Sequence, residues 1–306
     1  MIRPFLCLLA AAALLCAALP ARAQNAAAYA ISDDHSGLIL EGRNAQKKLQ
    51  VGSLTKIATA MVVLDWAEAK KRELSEQAEL PRTAEALVNP NSVGFQAGDR
   101  VSLRDLLYAA LMQSDNAAAH TLAAHVGADL GGEQAVAAFV TQMNALARKL
   151  GMARTNFTNP HGGDDEKTPP YSTAEDLIKL THYAEDRAGF RFYVSQKEKK
   201  ISLTRASGEA VSYLLRNTNE LLGSDAIDGV KTGTTRKAGQ CVIISAARPP
   251  ESKQDGEKVF ITPRRINVVV LNAADRFGTA KALLERGWQL QDSWAAAGRP
   301  AKWKPR

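Results

Sequence analysis

The stretch "VGSLTKIATAMVVLDW", residues 51–66, is where the chain changes character. Upstream, "YAISDD" and "GLILEGRN" alternate apolar and polar residues around Asp34-His35-Ser36-Gly37, which predicts a β-hairpin. Downstream of Ser53, apolar residues line nearly every turn: Leu54, Ile57, Ala58, Met61, Val62 and Leu64. That spacing predicts a buried helix. Lys56 then falls in the first turn of a core helix, where the helix dipole disfavours a cation. Either its side chain snorkels outward, or it is held inside for its chemistry.

From Ser53 the pattern stays helical for over a hundred residues. "SLRDLLYAALMQ" (102–113) is amphipathic, with Ser102 as a cap and Asp105 at the capping-box position. "DNAAAHTLAAHVG" and "GEQAVAAFVTQMNALARKLG" end at Gly127 and Gly151, each suited to a helix C-terminus. "STAEDLIKLTHYAEDR" opens with a further Ser/Thr cap. After about residue 190 the apolar runs become strand-like: "KKISLT", "GQCVIISAA" and "RINVVVLNA". The polar stretch 248–265 reads as a hairpin connection, and "TAKALLERGWQLQDSW" as a last helix. The order β, long α, β, α predicts an α/β (α+β) fold. One antiparallel sheet is built from both chain ends and flanked by helices, with an all-helical insertion over roughly 70–185.

Arg3, the apolar run Phe5 to Leu19 and Ala21-Arg22-Ala23 form a signal-peptide pattern over residues 1–23, with cleavage before Gln24. The run is shorter than the roughly 18 apolar residues of a spanning helix. Leu15 before Cys16 is not the small residue of a lipoprotein signal. The expectation is an exported, periplasmic chain with no integral membrane segment after cleavage. Removal of Cys7 and Cys16 leaves Cys241, so no internal disulfide can form. The remainder, about 280 residues, is long enough to rest on one hydrophobic core. The charge balance is basic, 39 Lys+Arg against 32 Asp+Glu, but dispersed. No nucleic-acid footprint is present. The five histidines show no H-E-x-x-H, so neither a metal nor another cofactor is expected.

Three short motifs carry chemistry together. In Ser53-Leu54-Thr55-Lys56 the serine and lysine share a helix face, so the amine can take the hydroxyl proton. Burial and a second cation can depress the lysine to make that possible. Backbone N–H groups at the helix start can meet an oxyanion. Ser114-Asp115-Asn116 lies between two helical runs, where Ser114 can relay a proton and Asn116 can bind an amide. Lys231-Thr232-Gly233 adds a second cation beside Lys56, a hydroxyl for a carboxylate, and a glycine that lets a substrate backbone approach. The Thr234 N–H is a candidate second oxyanion donor. Each motif alone has a plain reading, such as the helix N-cap that Ser, Asp and Asn all suit.

S-x-x-K, S-D-N and K-T-G in this order are the trio of penicillin-binding proteins and class A β-lactamases. With the flanks "MNALARKLGMARTNFTNPHG", "YSTAEDLIKL", "RNTNELLG" and "IDGVKTGTTRKAGQCVIISAA", the chain resembles the low-molecular-mass D-alanyl-D-alanine carboxypeptidases from about residue 28 to 290. The resemblance implies cleavage of the terminal D-Ala from peptidoglycan stem peptides through a serine acyl-enzyme, and covalent inhibition by β-lactams. It implies Ser53 as nucleophile, Lys56 as its base, and Ser114 and Lys231 as proton-transfer partners. Asn116 and Thr232 would hold substrate, and Arg276 would face the terminal carboxylate.

Two features depart from that pattern. Asp115 stands where the family more often has glycine, and the C-terminal β-domain and amphipathic anchor of many members have no counterpart after residue 290. Residues 24–306 therefore read as the catalytic unit. Three rivals share the site: an endopeptidase cutting cross-links, a class A β-lactamase, and a silent penicillin-binding sensor. The β-lactamase needs a deacylating E-x-x-L-N glutamate, and neither "AEDLIKL" nor "NELLG" supplies one.

Overall fold

The computed structural model describes residues 25–164 and 168–303. The expected signal segment and its cleavage point lie outside the described residues. The chain opens with the predicted hairpin, β1 (Ala26–Asp33) and β2 (Ile39–Arg43), paired antiparallel. A 3-10 turn, Gly52–Thr55, leads into α1 (Lys56–Lys70). Then come β3 (Gln77–Glu79), α2 (Arg82–Glu85), β4 (Arg100–Ser102) and α3 (Leu103–Tyr108). A π-helical turn, Ala109–Gln113, precedes α4 (Asn116–Gly131) and α5 (Ala135–Lys149). The remaining elements are α6 (Ala174–Glu185), α7 (Ala188–Val194), β5 (Glu198–Thr204), β6 (Ala210–Arg216), β7 (Ile227–Thr235), β8 (Gly239–Asp255), β9 (Lys258–Ala273) and α8 (Arg276–Ala296).

The main sheet has the order β2-β1-β9-β8-β7, joining both chain ends as predicted. Its central strands are covered on both faces, which explains their nearly unbroken apolar runs. Ile244, Val268 and Val270 pack with Leu283, Leu284 and Trp288 of α8. Their neighbours Ile243, Val269 and Leu271 face the larger core that contains α1. The period-2 alternation of each strand therefore divides one apolar run between two cores.

Three sequence readings change. "KKISLT" joins a second, four-stranded sheet, β3-β4-β5-β6, rather than the main one. Two of its strands, β3 and β4, are three-residue segments inside the otherwise helical insertion. Gly127 does not end its helix. It lies within α4, and a Cβ there would come within 1.9 Å of the Ala135 carbonyl oxygen. Its role is close packing of α4 on α5. The stretch 248–265 is not a loop but the continuation of β8 and β9. The two strands pair with each other as far as Asp255 and Lys258, beyond the ends of β1 and β7. Val259, Phe260 and Ile261 on this arm are exposed.

Other local signals hold. Ser102 Oγ accepts from the Asp105 N–H and Thr173 Oγ1 from the Asp176 N–H, capping α3 and α6. Cys241 is buried, and burial pushes its thiol up to about 11, so it is inert packing. Behind the main sheet, Glu185 of α6 is buried and accepts from Ser245 Oγ at 2.9 Å. Arg265 donates twice to Asp228, at 2.7 Å each, and lies 3.8 Å from Glu185. Burial nevertheless raises Glu185 to about 8.

Candidate active site

α1 is apolar almost all round, so it is buried as a whole, and the turn before it is buried too. Lys56 has no exposed surface and Ser53 has 9%. Lys56 is thus held inside and does not snorkel. Its Nζ lies 2.8 Å from Ser53 Oγ, 2.7 Å from Asn116 Oδ1 and 2.9 Å from the His161 carbonyl oxygen. Burial lowers Lys56 to about 7, although the Asp115 carboxylate favours the cation.

That geometry fixes the direction of the hydrogen bonds. The Asn116 and His161 oxygens can only accept. In the neutral amine they take both N–H groups, so the remaining lone pair points at the Ser53 hydroxyl. The arrangement can therefore withdraw a proton from Ser53.

The second motif reaches the site through the π-helical turn. That turn ends with Ser114 in the left-handed conformation, φ 67°. Asn89 Nδ2 donates to the Ser114 carbonyl at 3.0 Å and holds the bend. Asp115, in contrast, is wholly buried. Its Oδ1 accepts from the Ala118 N–H and its Oδ2 from the Val93 N–H, each at 2.7 Å. It caps α4 and ties down a loop, so both its oxygens are occupied by backbone.

The third motif lies on β7, the edge strand of the main sheet. Lys231 is buried and donates to the Thr232 carbonyl at 3.0 Å. Burial, then the charge of Lys56, then Arg276, hold it well below the usual lysine range. The expected repulsion between the two lysines thus falls on Lys231, whereas Lys56 is lowered by burial. Gly233 serves a close approach different from the one expected. A Cβ there would come within 2.7 Å of the Val51 carbonyl oxygen, so it lets the Ser53 turn dock on β7. Thr234 N lies at the same junction, 3.3 Å from where a Cβ on Gly52 would stand. Arg276, the first residue of α8, donates to Thr234 Oγ1 at 2.7 Å.

All nine sequence-selected residues, Ser53, Lys56, Ser114, Asn116, Lys231, Thr232, Gly233, Thr234 and Arg276, belong to these three converging segments or touch them. Two further contributors have no catalytic or binding role in the sequence reading, where His161 in "NPHGG" reads as a structural turn residue and Thr218 is not singled out. His161 acts through its carbonyl, which no residue-type signal reveals. Thr218, in the turn between β6 and β7, places its Oγ1 2.6 Å from Thr232 Oγ1. Among the described residues, no group of His, Cys, Asp and Glu is arranged to hold a metal ion. No helix among them is long and apolar enough to cross a membrane.

Comparison with known proteins agrees with this geometry. The family model for D-alanyl-D-alanine carboxypeptidase matches residues 16–254. The chain is 34% identical to the carboxypeptidase DacC of Escherichia coli over 235 residues, 73% of this chain but only 54% of DacC. It thus spans about half the length of that relative. It is 30% identical to a D-alanyl-D-alanine endopeptidase of Pseudomonas aeruginosa over 266 residues, 85% of this chain and 76% of that protein. Among solved structures, a Streptomyces DD-transpeptidase superposes with a TM-score of 0.75 at 26% identity, covering 87% of this chain and 97% of that one. A penicillin-binding protein of Listeria monocytogenes, solved with ampicillin bound, gives 0.67 at 30% identity, covering 86% and 98%. The chain belongs to the D-alanyl-D-alanine carboxypeptidase family.

Proposed function

We propose that this protein is a serine-type D-alanyl-D-alanine carboxypeptidase that removes the terminal D-Ala from peptidoglycan stem peptides. One observation carries the reading: a buried Lys56 amine, lowered to about 7, lies 2.8 Å from the Ser53 hydroxyl with its other partners restricted to accepting. Ser53 Oγ attacks the carbonyl of the penultimate D-Ala as its proton passes to Lys56. The C–N bond breaks, and the leaving amine takes a proton by way of Ser114 and Lys231. The Ser53 and Thr234 N–H groups receive the oxyanion. Thr232 and Arg276 hold the terminal carboxylate, and Asn116 the substrate amide. Water then attacks the ester and frees Ser53.

β-Lactams would enter the same site and acylate Ser53. The Phe5–Leu19 apolar run with its Ala21-Arg22-Ala23 end supports export, which places the enzyme in the periplasm with its polymer. Residues 24–306 form the catalytic unit in this reading, with the insertion over roughly 70–185. Cleavage of cross-links is a second reading, favoured by the 76% coverage of the endopeptidase relative.

The test is intact-mass measurement after penicillin treatment, with D-Ala release assayed on a stem pentapeptide. The wild type should gain one adduct and release D-Ala, and Ser53→Ala should do neither. Labelling that persists in Ser53→Ala would refute the assignment. Mass spectrometry of products from cross-linked muropeptides separates carboxypeptidase from endopeptidase action.

A further inference from the structure

Two consecutive carbonyls of the turn 159–163 are held by two side chains of α1. Lys56 Nζ bonds to the His161 oxygen at 2.9 Å, and Thr59 Oγ1 donates to the Pro160 oxygen at 2.6 Å. Residues three apart share a helix face, so Thr59 stands beside Lys56. Thr59, Lys56 and Pro160 are all buried. A carbonyl has no proton to give, and two oxygens this close need one between them, so the Thr59 hydroxyl is the donor. Met143 Sδ, 3.9 Å away, is the weaker acceptor and does not compete.

The turn is braced internally and docked. Asn159 Oδ1 accepts from the Gly162 N–H at 2.6 Å and the His161 N–H at 3.2 Å, and its Nδ2 donates to the Gly163 carbonyl at 3.1 Å. Gly162 has φ 84°, and a Cβ on it would stand 2.0 Å from the Gly52 carbonyl oxygen. Only glycine fits there, and it seats the turn against the segment that carries Ser53. A braced turn moves as a body. Anchoring the Pro160 carbonyl on Thr59 therefore also fixes the next carbonyl, that of His161, on Lys56.

A neutral amine has two protons and one lone pair. The lone pair faces Ser53 only while Asn116 Oδ1 and the His161 oxygen each hold a proton. Without the second acceptor the amine can rotate, and an N–H then faces the Ser53 hydroxyl for part of the time. That loss concerns direction and not charge, so it persists after Lys56 has given up its third proton.

We propose that Thr59 is a positioning residue for acylation: by anchoring the Pro160 carbonyl it keeps the His161 carbonyl on Lys56 and aims the lone pair of the neutral amine at Ser53. The inference rests on the proposed function and goes beyond it, because it assigns what orients the base.

The test is stopped-flow acylation by a fluorescent penicillin, resolved into the non-covalent Kd and the first-order acylation rate, in the wild type, Thr59→Val, Thr59→Ser and Thr59→Cys. Thr59→Val keeps the shape and removes the donor. Its acylation rate should fall about tenfold, the scale of one buried hydrogen bond, with Kd changed less than about twofold. The same deficit should remain at about pH 9, where Lys56 is already neutral. Thr59→Ser should recover the rate. Thr59→Cys, whose thiol is a weak donor, should fall between serine and valine, and it decides the matter if the valine variant does not fold. A deficit that vanishes at about pH 9 would mean that Thr59 acts on the charge of Lys56, and would overturn the proposal. So would a weakened Kd with an unchanged acylation rate, a serine variant that behaves like valine, or a cysteine variant as fast as the wild type. Absence of any Ser53 adduct in the wild type is a separate result, which would remove the proposed function and this inference with it.

Discussion

The direction of the hydrogen bond between Lys56 and Ser53 depends on whether the amine carries its third proton. Below about pH 7 the cation donates to Ser53 and leaves no lone pair to accept the hydroxyl proton. Acylation should therefore rise with pH and reach half its plateau near 7, measured by stopped flow with a fluorescent penicillin. Lys56→Arg stays charged throughout, and its acylation should fall by roughly a thousandfold, within the usual range for losing a general base. A wild-type rate in that variant would disprove the role of Lys56. Asp115 bears on the opposite end of the reaction. It gives the second motif its β-lactamase form, but both its oxygens are taken by the Ala118 and Val93 N–H groups. Among the described residues, no carboxylate bonds to Ser53 or Lys56 to activate a second water. The opened β-lactam also stays tethered and obstructs the approach of water. The penicillin adduct should therefore accumulate stoichiometrically and persist. Many turnovers per second without adduct would instead indicate a β-lactamase.

At the scale of elements, Gly127 shows how packing overrides propensity. Alanine is the better helix former by about 1 kcal/mol, so Gly127→Ala would stabilise an isolated α4. In the protein its methyl group would meet the Ala135 backbone 1.9 Å away, and overpacking of that kind costs roughly 3 kcal/mol. The clash wins, and the variant should melt several degrees lower. A higher melting temperature would mean that α5 can shift aside. The same contrast explains what was legible in the sequence. The β1–β2 hairpin, the Ser102 and Thr173 caps and the long strands each carry a local signal and appear as expected. β3 and β4 are too short to alternate detectably, and they exist because β5 and β6 offer them an edge. Gly127 looked like a helix end because a C-terminal glycine and a close-packing glycine are the same letter. In the site, side chains defined by their chemistry were visible in advance. The His161 carbonyl was not, and Thr218 emerged only when the fold brought it to Thr232.

For the whole molecule, the buried Glu185 makes stability depend on pH. Its carboxyl is raised from 4.5 to about 8, so between those values the folded chain holds a proton that the unfolded chain has released. The contribution is complete below about pH 4.5 and is lost as pH rises through about 8. Burial is the largest cause, Asp34 and Asp228 raise the carboxyl further, and Arg265 and Ser245 oppose them without cancelling the rise. Glu185→Gln cannot titrate, so its stability relative to the wild type should grow from pH 5 to pH 8, by on the order of 1–3 kcal/mol. Parallel urea-unfolding curves for the two proteins across that range would rule this out. Lys56 links the core and the chemistry more directly. The amine is basic in function only because Leu54, Ile57, Met61 and their neighbours exclude water around it. A loosened core that kept its helices would rehydrate Lys56, restore its ordinary charge and silence Ser53. Covalent capture of a penicillin is thus also a gauge of tight packing, one that should fade before circular dichroism registers any loss of helix.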